Sequence, residues 1–415
     1  MAKRKKATKV TDEDIEKFAG GDYTFFGKEV DRHFDGNVKV SDVSELKDPK
    51  ANSTGSMCLD YDLAIPFAEG SIVEVYGAEG SMKTSLALQT LAEALHEGKD
   101  ALFVDAERSL NKRHMSGIAR IRPWLEPGYI GPKNNTLKVV RTNTGEQALE
   151  TMRMFASQFP KSVIVLDSVD ACLPEALITG EIGEQKIGNV AKLMSDALRK
   201  LVGVANDNGV TLIFVNQIRS KIIAYGDPNE SSGGRALKFY AHQRIELMKP
   251  GKAQVMMDSD GERIGIIMRY KVIKNKYAPF GAEGEIPILY HYGFYDAQEL
   301  LKMCLDFGIL SFGGRGGGQV KMPKWNSVPM LDDDGNPMVD DTGEAIIINE
   351  LETDEEKFVS RPKVTAAKLL ANDKQLYDIY KGRLEALLDG SNSEDTEDGV
   401  LDTEKSDSSN TTESE

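Results

Sequence analysis

The stretch from Gly77 to Ser85, G-A-E-G-S-M-K-T-S, constrains this chain more than any other. Residues 71–76 before it are largely apolar and β-branched, as a buried strand should be, with Glu74 the exception. After it, Leu88, Leu91, Ala92 and Leu95 recur at helical spacing, and Gly98 stands where a helix would stop. Strand, glycine-containing turn, Lys-Thr and helix is the layout of a phosphate-binding loop. Such a turn points several backbone N–H groups into one concavity, and the helix N-terminus adds a positive field there. Gly77, Glu79, Gly80, Ser81, Met82 and Ser85 would form the cradle. Lys83 would reach the terminal phosphates, and Thr84 would place a hydroxyl on a magnesium ion. The strict pattern has glycine just before the lysine, whereas this chain has Met82. The expectation is that backbone passes close to phosphate there, so that a side chain crowds it. The plain alternative is that Lys83 merely opens a surface helix, and the rest of the chain has to decide.

A chain of 415 residues holds one large core with appendages, or two to three domains. No apolar run approaches the ~20 residues needed to span a membrane, and the N-terminus is too polar for a signal peptide. Cys58, Cys172 and Cys304 lie far apart, which excludes a disulfide framework and a CxxC metal site and points to a reducing cytoplasm. The five histidines show no metal-ligand spacing. The net charge of −15 argues against nucleic acid until its placement is examined. Residues 332–357 hold eleven acids and one lysine, and residues 389–415 hold ten acids and one lysine. Those two stretches carry −10 and −9, leaving +4 for the body, which is therefore free to bind an anion.

From residue 53 to 290 strands and helices alternate. Strands are expected at 72–76, 101–105, 137–140, 163–167 and 210–216, mostly as continuous apolar runs, the pattern of parallel strands buried on both faces. Helices are expected at 83–97, 145–159 and 189–205 between them. The runs 244–248, 264–272 and 285–290 read as added sheet edge. This is an α/β fold with a largely parallel sheet. A short helix is expected at 11–18 behind a basic run (Lys3, Arg4, Lys5, Lys6, Lys9), then a linker at 30–49 with one or two short strands. Helical periodicity returns at 297–305, the Gly-rich 313–318 breaks it, and two helices are expected within 364–388. From Asp389 the tail has almost nothing to bury and is expected to be disordered. The divisions are an N-terminal oligomerisation arm and linker at 1–50, a core at 51–296, a small C-terminal α/β domain with the acidic insertion at 297–388, and the tail at 389–415.

Three strand ends line up with the phosphate loop. The strand at 163–167 ends in Asp167, followed by Ser168, where a nucleotide-binding sheet places a carboxylate that holds magnesium through water. The strand at 101–105 leads into Asp105-Ala106-Glu107, and a glutamate there can polarise the water that attacks a γ-phosphate. The strand at 210–216 ends in Asn216-Gln217, a neutral amide pair able to sense that phosphate. Each has an unremarkable reading as a turn residue. Together with the loop they coincide by chance far less often than any one of them alone. The 18 residues from Ile218 to Arg235 form a loop too long for mere linkage. Arg219, Lys221, Gly226, Gly233, Gly234 and Arg235 suit phosphate, and Ile222 or Ile223 could wedge between bases, against the alternative of a flexible crossover.

At this point the sequence resembles the RecA family of homologous recombinases over residues 53–305 and again over 364–388. The matching residues are Ser53-Thr54-Gly55-Ser56, Asp105-Ala106-Glu107 and Thr144-Gly145-Glu146-Gln147-Ala148-Leu149. To these add Leu193-Met194-Ser195, Ala197-Leu198-Arg199-Lys200-Leu201, Asn216-Gln217-Ile218-Arg219, Gly233-Gly234, Ala236-Leu237-Lys238-Phe239-Tyr240 and Lys274-Asn275-Lys276. Met82, the short N-terminal region and the acidic insertion are most similar to the phage UvsX-like branch.

The resemblance implies a RecA-like P-loop ATPase core using ATP and Mg2+, with Thr84 and Asp167 at the metal and Tyr290 stacking on adenine. It implies Glu107 as the catalytic glutamate and Gln217 as the γ-phosphate sensor. It implies that Lys274 and Lys276 reach the neighbouring protomer's γ-phosphate, which makes ATP a glue between subunits. Asn111 and His114 stand where the family usually has Asp and Tyr near the base. Two loops, 175–188 with Ile187 and 218–235, would hold single-stranded DNA, and Ser195 and Arg199 match phosphate-contacting positions. The implied partners are single- and double-stranded DNA, further copies in a helical filament, and single-strand-binding and loader proteins, in a bacterial or phage-infected cytoplasm without a membrane. The reading is thus a DNA-dependent ATPase that pairs and exchanges homologous strands in recombination and repair. The competing readings are a ring-forming hexameric helicase and a hydrolysis-poor DNA-binding scaffold.

Overall fold

The computed structural model describes residues 24–35, 40–41, 43–179, 189–218, 234–258, 260–313, 318–329, 338, 347–352 and 357–394. Residues 1–50 form one unit and 51–415 another. In the first, α1 spans Thr24–His33, with Arg32 and His33 in its last turn where cations suit the helix dipole, and a 3-10 turn spans Val43–Glu45. The helix expected at 11–18 lies outside the described residues. Val30, placed in a linker by its polar surroundings, belongs to α1. No strand forms among the described residues of that linker, where no alternating apolar pattern offers a face to bury.

The second unit is built on a ten-stranded sheet. After helix α2 (Met57–Leu63) come β1 (Ile72–Gly77), α3 (Lys83–His96), β2 (Ala101–Asp105), the short α4 (Lys112–Met115), β3 (Leu137–Arg141), α5 (Gly145–Gln158) and β4 (Val163–Asp167). Then follow α6 (Glu175–Ile178), α7 (Asn189–Asn208), β5 (Thr211–Gln217), α8 (Gly234–Tyr240), β6 (Gln243–Met248), β7 (Val255–Met257), β8 (Arg263–Asn275), β9 (Glu283–Leu289) and β10 (Gly293–Phe294). The order β3-β2-β4-β5-β1-β6 is parallel throughout, and β8, β9 and β10 extend it antiparallel, with β7 on β8. The run 244–248, expected at the edge, is therefore inside the sheet. It follows α8, and the crossover lays it parallel to β1, leaving the hairpin-linked β8 and β9 to form the antiparallel flank. Strand β3 is the opposite edge and is half-exposed rather than buried on both faces.

Alternate residues of each central strand feed two apolar layers. Val73, Val75, Phe103, Val163, Val165, Ile213 and Val215 pack under α2 and α3. Ile72, Leu102, Val104, Ile164, Leu166, Leu212 and Phe214 pack under α5, α7 and α8. That two-sided burial is why these strands read as unbroken apolar runs.

The C-terminal region adds α9 (Asp296–Asp306), a three-stranded sheet of β11 (Phe312–Gly313), β12 (Gln319–Met322) and β15 (Val359–Pro362), and helices α10 (Lys363–Asn372) and α11 (Lys374–Glu394). Strands β13 (Trp325–Pro329) and β14 (Ile347–Leu351) pair across the acidic insertion. The break between α10 and α11 falls at Asp373, whose carboxylate accepts the Leu376 N–H at 3.0 Å as a helix cap. Helix α11 runs on to Glu394, six residues into the stretch expected to be disordered. Extending a formed helix costs little where no proline interrupts it. Residues 395–415 lie outside the described residues.

Candidate nucleotide site

The carboxyl ends of β1, β2, β4 and β5 meet at one edge of the parallel sheet, where open α/β sheets bind ligands. Gly77 closes β1 in tight quarters: a Cβ there would lie 2.2 Å from the Leu247 carbonyl oxygen and 2.6 Å from Ser81 Oγ. Gly80 follows at φ +75°. Met82 precedes α3 in the left-handed region, φ 66° and ψ 25°. This corrects the expected reason for a glycine at this position. The backbone turns left-handed there, a conformation glycine adopts without cost. The side chain does not fill the cradle. It is half-buried, packs on the core layer beneath α2 and α3, and lines a cavity of about 500 Å³ with Asn111, Arg113, His114 and Tyr290.

Lys83 opens α3, and its ammonium donates to the carbonyl oxygens of Gly77 and Ala78 at 3.0 and 2.8 Å. Burial lowers its pKa, opposed by Asp167, Glu107, Asp170 and Glu79. The Thr84 hydroxyl donates to Asp167 at 2.6 Å. Burial pushes Asp167 up to about 6; the Thr84 hydrogen bond opposes that, the charge of Glu107 adds to it, and Lys83 opposes it. Hydroxyl and carboxylate oxygens are the hard donors that magnesium takes. Among the described residues no group of three or more His, Cys, Asp or Glu side chains could hold a metal ion. Thr84 and Asp167 thus fit a cation whose other ligands are water and substrate phosphate.

Glu107 extends past β2 into this edge. Its Oε1 accepts from the Ser168 hydroxyl and from the Gln217 side-chain amide, the latter at 3.0 Å. Ser168 had no expected role, and its place directly after Asp167 was the available signal. The Asn216-Gln217 pair divides its labour. Gln217 faces Glu107, whereas Asn216 is buried and donates to Glu74 at 2.9 Å. Tyr290 is 45% exposed and lines the cavity beside Met82.

The structure does not bring Lys274 and Lys276 into this cluster. Lys274 is the next-to-last residue of β8, with its ammonium on the carbonyl oxygens of Lys238 and Phe239, at 3.0 and 3.1 Å, and Lys276 is exposed just beyond the strand. Both cations, after burial, hold the His242 imidazole down to about 4. Ser195 is half-buried on α7, and the exposed Arg199 lies 3.8 Å from Asp196. Ile187, Arg219, Lys221, Ile222 and Gly233 lie outside the described residues. Gly234 and Arg235 begin α8.

A parallel sheet that presents a phosphate loop, a metal-compatible Thr–Asp pair and an oriented glutamate at adjoining strand ends is the core of a P-loop ATPase. The family model for the RecA N-terminal domain matches residues 27–295. Protein RecA of Desulforapulum autotrophicum is 39% identical over 69% of this chain and 79% of its own. Protein RecA of Thermus thermophilus is 38% identical over 69% of this chain and 81% of its own. A crystal structure of the RadB recombinase superposes with a TM-score of 0.43 at 20% identity, covering 59% of this chain and 98% of that one. The chain belongs to the RecA family. Its function is that of a recombinase in DNA recombination and repair, and its reaction is DNA-dependent ATP hydrolysis.

Proposed function

We propose that this chain binds ATP with Mg2+ at the phosphate loop, assembles as a helical filament on single-stranded DNA, and pairs that strand with homologous duplex. The observation that carries the reading is the hydrogen bond from Gln217 to Glu107. Gln217 is the last residue of β5, and in the sequence Ile218 and then the candidate DNA loop follow it. The group that would orient the attacking water therefore touches the residue from which the candidate DNA loop departs.

In this reading Lys83 and the loop's N–H groups hold the triphosphate. Thr84 and Asp167 hold the cation, which would offset charge on the phosphate oxygens. Glu107, kept in one rotamer by Ser168 and Gln217, aligns water and takes its proton on a carboxylate oxygen. Met82, His114 and Tyr290 receive the base. Lys274 and Lys276 serve a neighbouring copy's phosphates. Ser195, Arg199, Gly234, Arg235 and the segments around Ile187 and Ile222 hold DNA. Single-strand-binding and loader proteins are the further partners. Met82 and the acidic stretch at 332–357 support placement in the UvsX-like phage branch, acting in the host cytoplasm. No helix among the described residues is long and apolar enough to cross a membrane.

The test is phosphate release with and without single-stranded DNA, together with electron microscopy in a non-hydrolysable ATP analogue. Helical filaments and DNA-stimulated release are expected. Closed rings would make it a helicase-like motor, and release unaffected by DNA would sink the reading.

A further inference from the structure

The cavity that Met82 lines has apolar walls from Met82, Ile118, Ile288 and Leu289, and among its described lining residues there is no Asp or Glu. Its polar side chains include Asn111, Arg113 and His114. Asn111 is held in place. It precedes α4 in extended backbone, φ −140° and ψ 164°, and its Oδ1 accepts the His114 backbone N–H at 2.9 Å as a helix cap. That hydrogen bond fixes which end of the amide is oxygen. It uses one of the two lone pairs of Oδ1. Nδ2 makes a single long contact, 3.5 Å to the Ser109 carbonyl oxygen. The amide therefore brings a donor and a spare acceptor, side by side, to the cavity wall.

Purines differ at the 6-position in the sense of their hydrogen bonds. Adenine presents an amino donor there beside the N1 acceptor. A 6-oxopurine presents the reverse, an oxygen acceptor beside an N1–H donor. A carboxylate only accepts and so disfavours the second, whereas a carboxamide has a partner for either. His114, as a neutral imidazole, likewise carries one donor and one acceptor, and Arg113 only donates. No acceptor-only side chain lines the described wall. Strong rejection of a wrong ligand also needs polar groups that it leaves buried and unpaired. Asn111, Arg113 and His114 are all exposed on this chain, so water can satisfy whichever atom the base does not.

We propose, resting on the ATPase reading above and its placement of the base in this cavity, that the site takes 6-oxopurine nucleoside triphosphates as well as ATP, with Asn111 as the specificity-determining residue. The bond broken is the same in either nucleotide. The water oxygen joins the γ-phosphorus, the bridging oxygen leaves with the diphosphate, and one proton of the water passes to Glu107 and on to solvent. The base enters only through binding. Asn111→Asp exchanges the amide for an acceptor-only carboxylate at nearly the same volume, and aspartate caps a helix as well as asparagine does.

The experiment compares ATP with inosine triphosphate, which differs from it only in the 6-substituent and the N1 proton. Calorimetric titration in magnesium gives the ratio of affinities, and phosphate release on single-stranded DNA gives the ratio of kcat/KM. In the wild type inosine triphosphate is expected within about tenfold of ATP by both measures, against the far larger discrimination of a site built to hydrogen-bond one base. Asn111→Asp should shift both ratios a further tenfold or so toward ATP. Magnesium tripolyphosphate, which has no base, reports the state of the phosphate loop in both proteins. Wild-type rejection of inosine triphosphate by more than about tenfold overturns the proposal whether or not the variant folds. A variant that still binds tripolyphosphate but keeps the wild-type ratios, as a merely structural cap would, also overturns it. A wild-type protein that binds neither nucleotide nor tripolyphosphate overturns the ATPase reading itself, and this proposal with it.

Discussion

Replacing Met82 separates backbone strain from side-chain contact, because the two terms are of similar size. A left-handed L-residue costs about 1–2 kcal/mol. Full burial of a methionine side chain contributes about 1.5–3 kcal/mol, so half-buried Met82 contributes roughly 1 kcal/mol or slightly more. Met82→Gly relieves the strain, loses that burial, and adds about 0.5–1 kcal/mol of unfolded-state freedom. Its stability is expected within about 1 kcal/mol of wild type. Met82→Ala keeps the strain and loses most of the contact, so it should fall below wild type by about 1 kcal/mol. Urea denaturation monitored by circular dichroism reads the order directly. Since Met82 lines the cavity with His114 and Tyr290 and not the cradle, both variants should weaken MgATP binding while leaving magnesium tripolyphosphate binding unchanged. Calorimetric titration with both ligands is the check. An alanine variant as stable as wild type, or a glycine variant that binds tripolyphosphate more tightly, would refute the assignment of strain and contact.

Three further substitutions test the rest of the site and its support. Glu107→Gln should retain ATP-dependent DNA binding and slow hydrolysis by about 10²-fold or more, the scale of a general base; wild-type turnover would remove Glu107 from the mechanism. The double variant Lys274→Ala, Lys276→Ala should bind ATP but fail to form filaments or to accelerate hydrolysis with DNA, as sedimentation and phosphate release would report. Burial pushes Glu299, hydrogen-bonded to the Ser56 hydroxyl at 2.5 Å, up to about 8. An unfolded glutamate loses its proton near the ordinary value of 4.5, so this group costs stability progressively from there up to about pH 8. Glu299→Gln should therefore gain stability on wild type as pH rises from 5.5 to 8, by at most about 1.4 kcal/mol per pH unit. A pH-independent difference in melting curves would contradict it.

The strands were legible because burial on both faces writes an unbroken apolar run, and Lys83, Thr84, Asp167, Glu107 and Gln217 were legible because each ends or follows one. Glu74 stood out as a charge in such a run, but its partner Arg244 is 170 residues away and no periodicity links them. The role of Met82 was misread because residue identity reports that glycine is missing, not whether space or dihedral angle demanded it. Asn216 and Gln217 look equivalent in sequence. Strand alternation sends one into the sheet and the other to the site. The position of β6 depended on the α8 crossover, and the length of α11 on helix propagation, neither of which leaves a local signature.

The strand that carries the phosphate loop is among the first to be synthesised and among the last to be housed. Its neighbours in the sheet are β5 and β6, which begin at Thr211 and Gln243. While the chain is being made, Ile72–Gly77 therefore has no partner on either side until about half of the 415-residue chain has emerged. Glu74 has no cation until Arg244 arrives. An apolar strand held open for so long is a segment that other chains can capture.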